Sequence, residues 1–156
     1  MQKSQGHILR ERDAKRLSRV YLEAATFDER AKSDFAKIPI PDIDEQLQDM
    51  EQLVGCERMG VAAIVCEGKR VGSFAYSVFP FYGEQTLWIV GIGADSDALP
   101  DGTSLFQELG DEILKLAKTH KCRWVRADTS RPPVFAQLVK LGFLPGMVQL
   151  YHEIKE

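Results

Sequence analysis

The pattern of hydrophobic and polar positions is clearest in the middle third of the chain, where it predicts strands. The stretch TLWIVGIG (Thr86 to Gly93) is apolar at nearly every position. A strand without alternation is covered on both faces, so this segment is predicted to be central in a sheet with helices on either side. Before it, MGVAAIVCEGKRVGSFAYSVFPF holds two runs of strand formers around the turn EGKR, which predicts a β-hairpin.

The first third carries a helical period. After a short extended segment at His7 to Arg10, a helix is predicted from about Asp13, and a second helix follows the break at KIPIPD. Asp42 and Glu45 are spaced as a capping box, and Gly55 is placed to end the second helix. The apolar positions of the first helix are Leu17, Val20, Tyr21 and Ala24, and those of the second are Ile43, Leu47, Met50 and Val54.

The last third alternates helix and strand. A helix is predicted from Ser104, a strand at Cys122 to Ser130, a helix in RPPVFAQLVKLGF that ends before Gly142, and a final strand in MVQLYHEIK. The apolar face of the first of these helices is formed by Phe106, Leu109, Ile113, Leu116 and Ala117. The whole order predicts an α/β fold, a mixed sheet of about six or seven strands flanked by about four helices, with a right-handed parallel crossover from Trp88 to Trp124.

Length and composition bound the class of protein. A chain of 156 residues suits a single domain spanning residues 1–156, with an ordinary balance of 44% hydrophobic and 28% charged residues. A formal net charge of −3 gives no general attraction to nucleic acid or to a membrane surface, so neither is expected as a partner. The first residues lack the apolar core of a signal peptide, which favours a cytoplasmic protein, either a monomer or a homodimer.

Cysteine, histidine and cation positions suggest structural roles. The cysteines are odd in number and widely spaced, which supports neither a disulfide framework nor a metal site. They are interpreted as reduced, partly buried thiols: Cys56, Cys66 and Cys122. His7 and His152 lack partners at ligand spacing, so no metal is predicted, and His120 suits a helix C-terminus. Trp124 is predicted to lie in the core. The cations interpreted as a solvated face are Lys115, Lys118, Lys121 and Arg123.

The connection GIGADSDALPDGTS, between the central strand and the following helix, is long and rich in glycine and aspartate. Together with the order of elements and with FAQLVKLGF at residues 135–143, it resembles the GNAT superfamily of acyl-coenzyme A-dependent N-acyltransferases over nearly the whole chain. The window LPDGTS matches the phosphate loop of that family in part. Gly102 keeps the middle glycine, whereas Leu99 stands at the place of an Arg or Gln, and Ser104 replaces the last small residue.

The resemblance implies acetyl-CoA as cosubstrate and an amine-bearing acceptor. In the family, amides at the helix start hold the pyrophosphate, and the preceding strand parts from its neighbour to expose backbone groups for the pantetheine arm. Gly91 and Gly93 would suit that approach, although a bulge explains them too. An acidic helix cap is the alternative for the loop, because Asp97 and Asp101 are unfavourable beside an anion. The residues carried over to cofactor binding are Val90, Ile92, Asp101, Gly102, Thr103, Ser104, Leu105 and Arg131.

Acid–base chemistry has few candidates in this sequence. Acyl transfer to an amine needs the amine deprotonated and the leaving thiolate protonated. The central strand has no glutamate, and Leu138 stands where the family often has its tyrosine acid. Asp128, at the end of the strand that flanks the expected acyl site, is the candidate base, although a helix cap would also explain it. Ser130, Tyr82 and Glu84 are weaker candidates that a cap and a hairpin turn would equally explain.

Two functions remain open from the sequence. The order of elements and Gly102 favour an acyl-CoA-dependent N-acyltransferase, most simply an acetyltransferase, whose amine acceptor the sequence does not name. The altered phosphate loop and the missing acid–base residues favour the alternative, a catalytically inactive GNAT-like module for binding or interaction. Binding of acetyl-CoA is the property that bears on both.

Overall fold

The computed structural model describes residues 20–95, 97, 105–128, 136 and 138–143. The strands are β1 (Val20–Ala25), β2 (Gly60–Cys66), β3 (Lys69–Phe81), β4 (Glu84–Ala94) and β5 (Trp124–Ala127), and the helices are α1 (Glu29–Phe35), α2 (Ile43–Gly55) and α3 (Leu105–Thr119). The strands form one sheet in which the spatial order follows the chain. The first three junctions are antiparallel, and the junction of β4 with β5 is parallel.

This architecture confirms the predicted mixed α/β sheet. The described residues contain five strands, fewer than the sequence predicts. The predicted strands at residues 7–10 and 147–155 lie outside the described residues. Residues 138–140 are helical, in the segment predicted to form the fourth helix. Within the described ranges, no helix combines the length and the apolar character needed to cross a membrane.

Two tight turns join β2 to β3 and β3 to β4. Glu67 and Gly68 have φ of 51° and 80°, and Tyr82 and Gly83 have φ of 52° and 79°. Left-handed backbone at both central residues is typical of a type I′ turn, whose twist matches that of the strands it joins. The predicted hairpin at EGKR is confirmed, and FYGEQ forms a second hairpin.

The first strand of the sheet lies where the sequence predicts a helix. Residues Val20–Ala25 form β1 and pair antiparallel with β2 over their whole length. The helix prediction is wrong because these positions fit a period of two as well as a period of 3.6. Val20 and Leu22 point into the same core from one face of the sheet, and β-branched and aromatic residues such as Val20 and Tyr21 favour strands.

The sheet is covered on both faces. The core beneath α3, here the α3 face, includes Ile64, Phe74, Leu87, Leu109 and Ile113. The core beneath α1 and α2, here the α1 face, includes Ala31, Phe35, Met50, Val61 and Ala75. Strand β4 contributes Leu87 to the first core and Val90 to the second. The prediction that TLWIVGIG is central and covered on both sides is therefore confirmed.

Helix α2 is capped differently from the prediction. Asp42 precedes the helix, but its side chain makes no capping hydrogen bond. At the other end, the Arg58 N–H donates to the Leu53 carbonyl at 2.8 Å, which is the long-range bond of a Schellman motif. Glu57, with φ of 58°, fills the left-handed position of that motif, and Gly55 does not. A side chain in this conformation costs about 1–2 kcal/mol, so Glu57 is a strained residue.

Other predicted positions are partly confirmed. Gly142 has φ of 94° and ends the last helix as predicted. Trp124 is 52% exposed and does not lie in the core, because it is on β5, the last strand of the described sheet. Cys56 is exposed at the C-cap of α2. Cys66 is buried, and partial burial raises the pKa of the Cys122 thiol.

Candidate active site

Strand β4 changes its alternation at Val90. The adjacent residues Tyr76 and Ala75 of β3 pair with Ile89 and Gly91, so Val90 is the extra residue of a β-bulge. The bulge leaves Val90 and Gly91 side by side on the α1 face, since both approach residues of that core. Such a bulge bends the strand that carries it, here at the middle of β4.

The described pairing of β4 with β5 covers only the first part of β4. Residues Thr86–Ile89 pair in parallel with Trp124–Ala127. Beyond Ile89, β4 continues to Ala94, and in the described part of the chain no strand bonds it on the β5 side. Such an edge offers backbone N–H and C=O groups to an extended ligand. Val90 and Ile92, both predicted to bind the cofactor, lie in this stretch, which we call the open edge of β4.

Asp128 comes directly after the last described pair between β5 and β4. Ala127 pairs with Ile89, so Asp128 comes at the level of Val90, where the open edge begins. The Oδ1 of Asp128 accepts a hydrogen bond from Arg126 Nε at 3.2 Å, and its side chain is 48% exposed. The structure therefore brings the predicted base to the start of the open edge, beside a cation on the same strand.

A buried carboxylate ties α1 to the sheet next to this edge. Asp34 is fully buried and accepts hydrogen bonds from Arg30 Nε at 3.1 Å and from Ser73 Oγ at 2.7 Å. Arg70 Nη2 donates to the same Ser73 Oγ at 2.9 Å. Lys37 Nζ lies 3.7 Å from the Asp34 carboxylate. The sequence analysis missed Asp34, for which the four-residue spacing from Arg30 on one helix was the available signal.

Helix α1 begins within the same network. The Asp28 carboxylate accepts a hydrogen bond from the Ala31 N–H at 2.9 Å, which caps the helix and lowers the pKa of the Asp28 carboxyl group. Arg70 Nη1 lies 3.5 Å from the other oxygen of Asp28. One arginine of β3 therefore holds both the start of α1 and the hydroxyl that bonds Asp34.

The end of β4 is fixed to α1 as well. Lys37 Nζ donates to Asp95 Oδ1 at 2.6 Å, and this pair raises the pKa of Lys37 and lowers the pKa of Asp95. The Asp95 N–H donates to the Val71 carbonyl of β3 at 2.9 Å. Asp95 is the first residue after β4, so the long connection to α3 starts from an anchored position.

Gly91 and Gly93 make room for α1. A Cβ atom at Gly93 would overlap the carbonyl group of Asp34, and one at Gly91 would lie 3.1 Å from Ile38 Cδ1. Close approach of the α1 backbone explains Gly93, and the side chain of Ile38 packs over Gly91. The approach of a ligand is not needed to account for them.

Of the remaining predicted site residues, three lie within the described ranges and the others lie outside them. Leu105 is the first residue of α3 and packs against the core of the α3 face. Tyr82 is 80% exposed at the hairpin tip, and Glu84 Oε1 accepts a hydrogen bond from Arg123 Nη1 at 2.9 Å. Both lie at the opposite end of β4 from the open edge. The predicted residues outside the described ranges are Asp101, Gly102, Thr103, Ser104, Ser130 and Arg131.

Leu138 and the cations behave as the sequence indicates. Leu138, at the place of the tyrosine acid, is buried. The cations interpreted as a solvated face are all exposed: Lys115, Lys118, Lys121 and Arg123. His120 is also exposed, and its Nε2 lies 3.5 Å from the Tyr76 hydroxyl. Burial raises the pKa of that phenol.

Comparison with known proteins identifies the fold. No protein-family model matches the chain, and no curated protein matches it. The aminoglycoside N-acetyltransferase AAC(6')-Iy in complex with CoA is 16% identical, with a TM-score of 0.64 over 87% of this chain and 93% of that chain. A predicted acetyltransferase from Clostridium acetobutylicum, solved with acetyl-CoA, is 13% identical, with a TM-score of 0.62 over 86% of this chain and 96% of that chain.

A third similar structure carries a different description. A transcriptional regulator from Bacillus halodurans C-125 is 18% identical, with a TM-score of 0.65 over 86% of this chain and 99% of that chain. At such identities the likeness establishes the fold alone. The chain therefore has the fold of the GNAT acetyltransferases.

Proposed function

We propose that this protein is an acyl-CoA-dependent N-acyltransferase that transfers an acetyl group from acetyl-CoA to an amine. The observation that carries the proposal is that the described pairing of β4 with β5 ends at Ile89, next to the bulge at Val90. The pantetheine arm of coenzyme A is extended and carries amide groups, so it can bond an open strand edge as a peptide does. Solved structures of this fold that contain CoA or acetyl-CoA support the choice of ligand.

The proposed roles follow from position along β4 and β5. The backbone of Val90 and Ile92 holds the pantetheine arm and orients the thioester carbonyl. The pyrophosphate is assigned to backbone amides at the start of α3 and in the residues before it, with Arg131 toward the phosphates. The residues of that assignment are Asp101, Gly102, Thr103, Ser104 and Leu105.

The transfer itself needs one proton acceptor. Asp128 takes a proton from the acceptor ammonium, the free amine nitrogen attacks the thioester carbonyl carbon, and the carbon–sulfur bond breaks as the amide bond forms. The nitrogen loses its second proton as the amide forms, and the leaving thiolate takes up that proton and departs as the thiol of CoA. Asp128 suits this role by its place beside Val90, where the acyl group of a ligand on the open edge would end.

A second function has its own supporting observation. No carboxylate of β4 lies on the described open edge, and the buried Leu138 replaces the tyrosine acid. These features favour a GNAT-like module that binds acyl-CoA without transferring the acyl group. The two functions share the ligand and differ in the release of free CoA.

Acetyl-CoA is expected to raise the melting temperature of the protein. A ligand that binds only the folded state stabilises it by about 2.7 kcal/mol at a concentration of 100 times Kd. The measurement is a thermal unfolding curve with increasing acetyl-CoA, with adenosine as the control ligand that lacks the pantetheine arm. No shift near millimolar acetyl-CoA would contradict the proposal. A shift without release of free CoA over a broad panel of amines would favour the binding module.

A further inference from the structure

The α1 face of the sheet continues past the helices toward the β3–β4 hairpin, where it forms an open groove of about 420 Å³. The groove lies where β3 and β4 extend beyond the end of β2, since β2 begins opposite Tyr76. Its lining consists of Glu57, Arg58, Ser77, Val78, Phe79 and Trp88. No predicted site residue falls in this groove.

Trp88 places an unused hydrogen-bond donor at the groove. Less than 1 Å² of its Nε1 atom is exposed, and no described residue accepts a hydrogen bond from this atom. Burial of a donor without an acceptor costs about 1–3 kcal/mol of stability. A ligand atom that accepts a hydrogen bond from Nε1 would remove this cost. The ring itself is held edge-on to Phe79 at a centroid distance of 6.3 Å, and the Arg126 guanidinium lies 6.0 Å from its centre.

Arg58 adds a cation to the groove, and hydrogen bonds hold both its backbone N–H and its backbone carbonyl. Its N–H donates to the Leu53 carbonyl of α2 at 2.8 Å, and its carbonyl accepts from Ser77 Oγ of β3 at 2.7 Å. The preceding residue, Glu57, is the one that holds the left-handed conformation. The Arg58 side chain is exposed and has no hydrogen bond or ion pair with the described residues.

We propose that this groove binds the carboxylate of the acceptor, so that the substrate is an amine that also carries a carboxylate several bonds away, as a short peptide does. The choice of an amine rests on the proposed function. The Arg58 guanidinium and the Trp88 indole N–H are both hydrogen-bond donors among the lining residues, and a carboxylate accepts hydrogen bonds on both of its oxygens.

The position of the groove suits delivery of the amine. Trp88 precedes Val90 by two residues on β4, which is roughly 7 Å along a strand. A short peptide held by its C-terminal carboxylate at Trp88 and Arg58 can span this distance, so its N-terminal amine reaches the start of the open edge, whereas the amine of a free amino acid does not. The aromatic rings of Phe79 and Trp88 give the apolar part of the ligand a surface to cover.

The indole N–H resonances of the protein test this inference directly. The chain has two tryptophans, so a ¹H–¹⁵N spectrum has two indole cross-peaks, and Trp88→Phe assigns them. Millimolar L-alanine, L-phenylalanine or glycyl-L-phenylalanine is expected to shift the Trp88 peak, and the matching carboxamides are not. The peak of the exposed Trp124 serves as the internal control. Arg58→Gln should weaken the shift at least tenfold in ligand concentration, whereas Arg123→Gln should leave it unchanged.

Equal shifts with acids and amides, or no shift with any acid, would overturn the carboxylate site. The titrations are run both without CoA and with it, so neither result depends on the order in which ligands bind. Failure of acetyl-CoA to stabilise the protein would count against the proposed function alone. An unmoved Trp88 peak in a protein that does bind acetyl-CoA would count against the carboxylate site alone.

Discussion

Replacing Asp128 by asparagine is expected to lower turnover roughly 10²–10⁴-fold while the affinity for acetyl-CoA hardly changes. Asparagine keeps the shape and much of the hydrogen-bonding capacity of the side chain but cannot accept the ammonium proton. Asp128 is exposed at the end of β5, and the one hydrogen bond described for its side chain comes from Arg126. A change in turnover can therefore be distinguished from a loss of stability. The fold should therefore tolerate the change. Initial rates of CoA release and a binding isotherm for acetyl-CoA give the two quantities.

Glu84→Gln is the matched control for this variant. Glu84 also accepts one hydrogen bond from an arginine, Arg123, and lies at the far end of β4 from the open edge. Its replacement should leave turnover unchanged. If Asp128→Asn retains full activity per folded molecule and loses about 1 kcal/mol of stability, Asp128 is a structural cap and the base is another group.

Replacing Asp34 by asparagine is expected to lower the free energy of unfolding by about 2–4 kcal/mol, because charge-assisted hydrogen bonds to a buried carboxylate are lost. The amide group of asparagine would place donor hydrogens against the Arg30 guanidinium or the Ser73 hydroxyl, which already donate to this site. The estimate stays below that for a fully buried ion pair, since the side chains of Arg30 and Lys37 are 42% and 44% exposed and regain water.

Urea unfolding of Asp34→Asn measures this loss, with Asp49→Asn on the exposed side of α2 as the control. The control should change the unfolding free energy by less than about 0.5 kcal/mol, as surface substitutions usually do. Equal stability of the two variants would mean that the buried network does not hold α1 against β3.

The turns and the covered strand were predicted correctly because their signals come from residues that are close together in the chain. The hairpins at EGKR and FYGEQ follow from glycines that accept left-handed backbone in two-residue turns, and the covered strand TLWIVGIG follows from a run without polar positions. These signals lie within a few residues of each other. The element order around them was therefore sufficient to suggest the acetyltransferase fold that the similar structures confirm.

What the sequence could not predict depends on contacts between distant residues. The spacing around Val20 fits a helix as well as a strand, and only pairing with β2, about forty residues later, decides between them. Asp34, on helix α1, is buried and hydrogen-bonded because Ser73 comes from β3, about forty residues later. The groove at Trp88 likewise joins β3, β4 and the residues after α2. The prediction that Trp124 lies in the core was wrong, because no local pattern shows that its strand is the last of the described sheet.

The most direct test of the central claim is a crystal structure of the protein with acetyl-CoA. The account predicts the pantetheine arm along β4 between Val90 and Ile92, with its amides bonded to the strand backbone. It also predicts the acetyl group beside Asp128, and the phosphates at the amides of residues 102–105. Acetyl-CoA bound away from the open edge of β4, with that edge bonded by another part of the chain, would contradict it.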